Sequence, residues 1–126
     1  MYTKHAPKQK IGDLAELEAC QFLQAKGLRL LVKNYHCFFG EIDLIMQDQD
    51  EIVFVEVRSR SRIDYGTAAE TIDDCKQSKL IKTATHFLQK KAWLYKVNSR
   101  FDIIAIHFKM GKLELEWIQN AFSAKD

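Results

Sequence analysis

Between Ile11 and Lys26 the apolar residues Ile11, Leu14, Ala15, Ala19, Phe22 and Leu23 recur three and four positions apart, the spacing of one helix face. Gly27 stands where a left-handed residue would close that helix. The period then changes. Leu28 to Tyr35, rich in leucine and valine, predicts a first strand, Glu41 to Gln47 a second and Glu51 to Arg58 a third. Asp48-Gln49-Asp50 is turn chemistry, so the second and third strands are expected to form an antiparallel hairpin. A loop from Ser59 to Glu70 follows, and Thr71 with Asp74 resembles a capping box. Leu80, Ile81, Ala84, Phe87 and Leu88 mark one face of a second long helix that ends near Lys91. Phe101 to Phe108 and Leu113 to Ile118 predict two more strands, joined through Met110-Gly111-Lys112, before a short polar tail from Asn120 to Asp126. With no repeat, no linker and no proline after Pro7, the pattern reads as one α/β domain over residues 1–126, of order α-β-β-β-α-β-β.

The hairpin carries charge where strands usually carry oil. Glu41 and Asp43 lie two residues apart on one strand, Glu56 and Arg58 two apart on the next, so each pair shares a side of its strand. Folding at the turn brings Asp43 level with Glu56. Magnesium takes oxygen ligands, commonly one or two carboxylates with water and phosphate. Two adjacent carboxylates otherwise repel one another, so a cation or a basic side chain is expected beside them. A divalent-metal site and a set of ion pairs to Arg58, Arg60 or Arg29 both satisfy this spacing.

Composition narrows the setting more than the chemistry. A chain of 126 residues, 47% hydrophobic, can close a core and is neither disordered nor fibrous. No apolar run has the length of a membrane span, and the polar first ten residues lack a secretory stretch, so the expected location is the cytoplasm, with no membrane partner. Cys20, Cys37 and Cys75 are scattered and odd in number, which argues against structural zinc or a disulfide framework and for buried or half-buried thiols. The net charge of +2 says little, but its distribution says more. Bases gather at Arg58, Arg60 and Arg62, at Lys76, Lys79 and Lys82, and at Lys90 and Lys91, around the acids of Glu41 to Glu56. A basic rim around an acidic centre suits a polyanion that must approach a metal, although helix lysines often only solvate a face. Arg60 and Arg62 fit phosphate contacts that position nucleic acid without reading its sequence, with an ordinary solvated loop as the alternative. Trp93 and Tyr95 read as core or interface anchors, with base stacking as the alternative. His5, His36, His86 and His107 show no ligand spacing.

Gly40-Glu41-Ile42-Asp43-Leu44-Ile45 followed by Val53-Phe54-Val55-Glu56-Val57-Arg58-Ser59-Arg60 resembles the YraN family of small bacterial proteins. Leu14-Ala15-Glu16, Phe22-Leu23, Gly27, Tyr65-Gly66, Lys76, Lys79-Leu80, Arg100-Phe101-Asp102 and Asn120-Ala121-Phe122 extend the resemblance over nearly the whole chain. That family is assigned to the PD-(D/E)XK, or restriction-endonuclease-like, superfamily and is similar to archaeal Holliday-junction resolvases. The resemblance implies a central mixed five-stranded sheet flanked by two long helices. It also implies a Mg2+ site, with Mn2+ as a substitute, held by Asp43 and Glu56 and completed by the carbonyl of Val57. Glu16 corresponds to a helix acid that some members use at the metal, and Glu41 is a further helper. A solvated helix acid is the alternative for Glu16. Ile42 stands where the motif's name has proline, and Arg58 where it has lysine. Arginine can stabilise developing phosphate charge but cannot act as a base. Lys76 is a candidate to supply an amine to the site, or else a helix-surface residue.

Three functions are compatible with this pattern. The first is a metal-dependent nuclease acting on branched or single-strand-containing DNA, with Asp43, Glu56, Arg58 and Lys76 as its catalytic residues. The second is a nucleic-acid-binding module of the same fold without cleavage, favoured by Arg58 in the lysine position. The third is a protein-interaction domain in which the acids serve ion pairs. Superfamily members that cut two strands often work as symmetric homodimers, and Trp117, Ile118, Ala121 and Phe122 supply an apolar segment for such a contact.

Overall fold

The computed structural model describes residues 6–60 and 72–124. Seven elements follow the expected order: α1 (Ala6–Ala25), β1 (Arg29–Cys37), β2 (Gly40–Asp48), β3 (Glu51–Arg60), α2 (Asp74–Lys90), β4 (Asn98–Lys109) and β5 (Lys112–Phe122). The strands form one five-stranded sheet in the order β1-β2-β3-β4-β5. All neighbours are antiparallel except β3 and β4, which run parallel because α2 carries the chain back between them. Ser59 begins the intervening loop in the sequence reading, but β3 runs on to Arg60; the rest of that loop, with Arg62, Tyr65, Gly66 and Thr71, lies outside the described residues.

Each face of the sheet is covered by one helix. Ala15, Ala19, Cys20 and Leu23 of α1 pack on Leu44, Met46, Val53, Val55, Ile104 and Ile106. Leu80, Ala84, Phe87 and Leu88 of α2 pack on Ile42, Ile45, Ile52, Phe54, Phe101, Ile103 and Ala105. Because β3 and β4 are buried on both faces, they read as nearly continuous apolar runs. Burying each such side chain contributes about 1.5–3 kcal/mol before the entropy of ordering is subtracted.

Both helix ends are closed by backbone chemistry. At α1 the N–H of Leu28 donates to the Leu23 carbonyl and that of Gly27 to Gln24, with Gly27 at φ 101° as the left-handed residue. The same bonds close α2, Trp93 to Leu88 and Ala92 to Gln89, here with Ala92 at φ 62°. The α2 N-cap is Asp73, whose Oδ1 accepts the N–H of Lys76 at 2.8 Å. This corrects the cap expected from Thr71 with Asp74: Asp74 is already inside the first turn, where a carboxylate interacts favourably with the helix dipole.

Other strand boundaries also move. β1 continues through His36 and Cys37 because it pairs with β2 as far as Gly40, so backbone pairing overrides the polar side chains. β4 begins at Asn98, opposite Glu51, and continues to Lys109, where it meets Lys112 across the two-residue turn Met110-Gly111. β5 runs four residues past Ile118, through what the sequence suggests is a polar tail; an irregularity between the Phe101 and Ile103 pairings places Asn120 at φ 52°. Cys20 is buried and Cys37 half-buried, but Cys75 is exposed on the outer side of α2, so the expectation for the thiols holds for two of the three.

Candidate metal centre

The alternation of β2 breaks at Asp43. Ile42 and Leu44 are two positions apart and in a regular strand would face one way, yet Ile42 joins the α2 layer and Leu44 the α1 layer. The last β2–β3 pairing is Leu44 with Val55. One step further the ladder has ended, and the N–H of Val57 donates to Asp43 Oδ2 at 2.8 Å instead of to a β2 carbonyl. Opposite on β1, Asn34 takes φ 52°, a conformation asparagine tolerates better than most residues. The Asp43 carboxylate therefore sits in the gap where the two strands part.

Residues from both helices reach this gap. From α1, Glu16 hydrogen-bonds Asp43, and the Asn34 side chain bonds Glu16 in turn. From the first turn of α2, the Lys76 ammonium stands 3.5 Å from Glu56 Oε2. Arg58 Nη1 lies 3.7 Å from the same oxygen. The Glu56 side chain is only 8% exposed, so this is no surface salt bridge, and both cations stand beyond good hydrogen-bond length. Glu41 is exposed and pairs with His36 at 3.1 Å, leaving it as a further negative charge beside Asp43. The backbone of Val57 is held at the site by its bond to Asp43. Arg60 falls at the end of β3, and its side chain lies outside the described residues, as does all of Arg62.

The acids hold their protons well above the usual carboxylate range. Burial, then the charge of Asp43, pushes Glu56 up to about 7, although Lys76 and Arg58 oppose the rise. Burial and Asp43 likewise push Glu16 up to about 7. Asp43 is raised by burial and by Glu41, against the pull of the Val57 N–H and Lys76. The Glu16–Asp43 hydrogen bond raises Glu16 and lowers Asp43, so Glu16 is the partner that keeps the proton. Among the described residues no three Asp, Glu, His or Cys side chains stand close enough to enclose an ion. Magnesium commonly takes one or two carboxylates with water and phosphate, and a cation beside Asp43 and Glu56 would relieve their shared repulsion.

A second charged group lies toward the β2–β3 turn. Arg100 bonds Glu51 at 2.7 Å, Asp102 at 3.0 Å and Asp48 at 3.1 Å. Asp102, fully buried, also accepts the Trp117 indole N–H and the Asn120 backbone N–H, each at 2.9 Å. In the sequence Arg100 and Asp102 are only landmarks of a resemblance; nothing in their spacing shows three strands meeting at one guanidinium. Asn34 was also missed, its one signal being the tolerance of asparagine for left-handed backbone. Trp93 packs edge-on against Phe87, whereas Tyr95 is 95% exposed, so only the first is a core anchor. His86 is engaged by the Tyr35 hydroxyl at 2.6 Å.

The family model described as "Uncharacterised protein family UPF0102", which is the YraN family, matches residues 15–106, from α1 through most of β4. A UPF0102 protein of Psychromonas ingrahamii is 50% identical over 111 residues, covering 88% of each chain. One from Vibrio parahaemolyticus is 47% identical over 116 residues, covering 92% of this chain and 94% of that protein. One from Nitrosococcus oceani is 43% identical over 119 residues, covering 94% and 96%. With this agreement along almost its full length, the chain belongs to the UPF0102 family.

Proposed function

We propose that the protein is a divalent-metal-dependent nuclease of the restriction-endonuclease-like class, acting on DNA that is branched or contains single strands. The observation that carries the reading is the break at Asp43, which sets a half-buried and a buried carboxylate from adjacent strands, Asp43 and Glu56, beside Glu16 of α1 and Lys76 of α2. Crowded acids with raised proton affinity are what a metal site looks like before its cation is counted.

Asp43 and Glu56 would hold Mg2+ or Mn2+, with the Val57 carbonyl completing the shell and Glu16 acting through Asp43. The cation supplies a Lewis acid for the phosphate and lowers the pKa of an attacking water. Arg58 stabilises charge developing on the phosphate but accepts no proton. Lys76, positioned by the capped first turn of α2, orients water at Glu56. Arg60 and Arg62 contact flanking phosphates, and the setting is the cytoplasm. The test is cleavage of flap, junction and single-stranded substrates with Mg2+ or Mn2+, wild type against Asp43→Asn and Glu56→Gln. Activity undiminished in both variants would sink the assignment.

One observation favours a binding module without cleavage: Arg58 and Lys76 converge on one oxygen of Glu56 and compete with a cation for it. That reading expects salt-dependent DNA binding and no product with any divalent ion.

A further inference from the structure

The turn between β1 and β2 presents Phe38 and Phe39. A tight hairpin turn ordinarily carries small or polar residues. Here Phe38 is 96% exposed, while Phe39 is partly covered, with its ring edge-on to Phe38 at 5.6 Å and to His86 of α2 at 6.5 Å. Phe39 and the His86–Tyr35 hydrogen bond thus hold the turn against α2, and Phe38 stands almost wholly exposed beside them. Gly40, at φ 149°, lies so close to α2 that a side chain there would meet Thr83 at 3.3 Å and the Lys79 stem at 3.9 Å. Lys79 is therefore beside the turn, one helical turn from Lys76 at the carboxylate centre, and Lys82 continues the same exposed basic ridge.

We infer that Phe38 is a stacking platform for an unpaired nucleobase, with Lys79 and Lys82 holding the phosphates that lead from it to Asp43 and Glu56. Exposed aromatic and basic side chains side by side are the combination that binds single strands, the ring taking any base and the lysines following the backbone. Three residue steps along β2 take Gly40 to Asp43, about 10 Å at ~3.3 Å per residue. The inference rests on the nuclease reading for its direction along the strand, and it names the substrate feature selected: an unpaired base next to the cleaved bond.

The experiment uses the full chain in EDTA, so that no cleavage intervenes, and a DNA oligonucleotide carrying 2-aminopurine in a single-stranded stretch. Wild type is expected to quench the fluorophore on binding. Phe38→Ala should abolish the quenching and weaken binding about tenfold or more, on the scale of one lost stacking contact. Phe38→Trp should restore both. Lys79→Gln should weaken binding and reduce its salt dependence without abolishing the quenching, and blunt duplex affinity should be indifferent to Phe38. Because Phe38 fills no interior space, Phe38→Ala should melt with the wild type, which separates loss of stacking from loss of fold. Unchanged single-strand affinity in Phe38→Ala, an equal loss on blunt duplex, or no nucleic-acid binding by the wild type overturns the inference, the last leaving Phe38 to a protein partner. Phe38-dependent quenching with no cleavage under manganese supports it while ending the nuclease reading. Cleavage with Phe38-independent binding does the reverse.

Discussion

Asp43 and Asp102 solve the same local problem and end in opposite chemistry. Each lies at a break in a strand ladder, each accepts a stranded backbone N–H (Val57 for one, Asn120 for the other), and each has an asparagine at φ 52° nearby. Around Asp102 the remaining oxygen valence is taken by donors, the Arg100 guanidinium and the Trp117 indole, at 2.9–3.2 Å. Around Asp43 the next partner is another acid, Glu16, and a third acid, Glu56, raises the local charge. Counting charges does not separate the two groups, since Arg100 alone faces three acids while the Asp43 group has Lys76 and Arg58. Geometry does. Arg100 meets its acids in hydrogen-bonding range, whereas Lys76 and Arg58 stand at 3.5 and 3.7 Å. The Asp102 group locks four strands, and the Asp43 group is the one proposed to take a cation.

The largest effect expected from breaking this comparison is on stability at Arg100. Arg100→Met removes the partner of three acids, one of them fully buried, and should cost about 3–5 kcal/mol, the range for an uncompensated buried charge. Urea unfolding checks it. A loss under 1 kcal/mol would mean that this network is ornamental. Next comes the mirror experiment. Glu56→Gln should reduce cleavage by about 100-fold or more, the scale of a lost electrostatic contributor in an active site. It should leave stability unchanged or improve it above pH 7, because a repelled carboxylate has gone.

Only the Asp43 side of this contrast was legible in the sequence, and the part that was not has physical causes. Asp43 and Glu56 could be aligned because a hairpin with a short turn has a fixed register, and β2 with β3 keep it as far as Leu44 with Val55, one step short of that pair. Five strands and two helices followed from periodicity, since α2, β3 and β4 bury the faces that their apolar residues mark and α1 does so from Ala15 to Leu23, although Leu14, expected on that face, is exposed. The extension of β5 through Gln119 and Asn120 was hidden because its pairing is decided by β4 and by the Asp102 carboxylate, not by its own side chains. The reversal of facing between Ile42 and Leu44 was equally hidden: alternation presumes a ladder, and here the ladder stops. Asn34 and Arg100 act through partners far along the chain, which spacing cannot reveal.

Acidity and metal should move the two groups differently. Glu16 and Glu56 titrate near 7 in the folded chain against 4.5 when unperturbed. With folded values raised, their contribution to stability is complete below about pH 4.5 and is lost as pH rises through about 7. In EDTA the melting temperature should therefore fall by a few degrees between pH 5 and pH 8. Manganese should restore it at pH 8, and Glu56→Gln should remove much of both effects. The Arg100 guanidinium adds nothing in this window, because it is held charged far above it. A pH-independent melting curve in EDTA would show that the crowding at Asp43 is relieved without a cation.

The smallest effect is the most discriminating. Arg58→Lys restores the lysine expected in the motif and leaves a cation near Glu56, so stability should change by less than about 1 kcal/mol, as for a partly exposed pair. If Lys76 already supplies the amine from α2, cleavage should stay within roughly fivefold of wild type, the same energy expressed as a rate. Lys76→Ala should then cost more than Arg58→Lys, and the two together no more than Lys76→Ala alone if lysine at 58 takes over its place. Cleavage that appears only in Arg58→Lys would mean that arginine has switched the centre off. The Asp43 group would then differ from the Asp102 group only in looseness, and the chain would be a binder built on a nuclease's geometry.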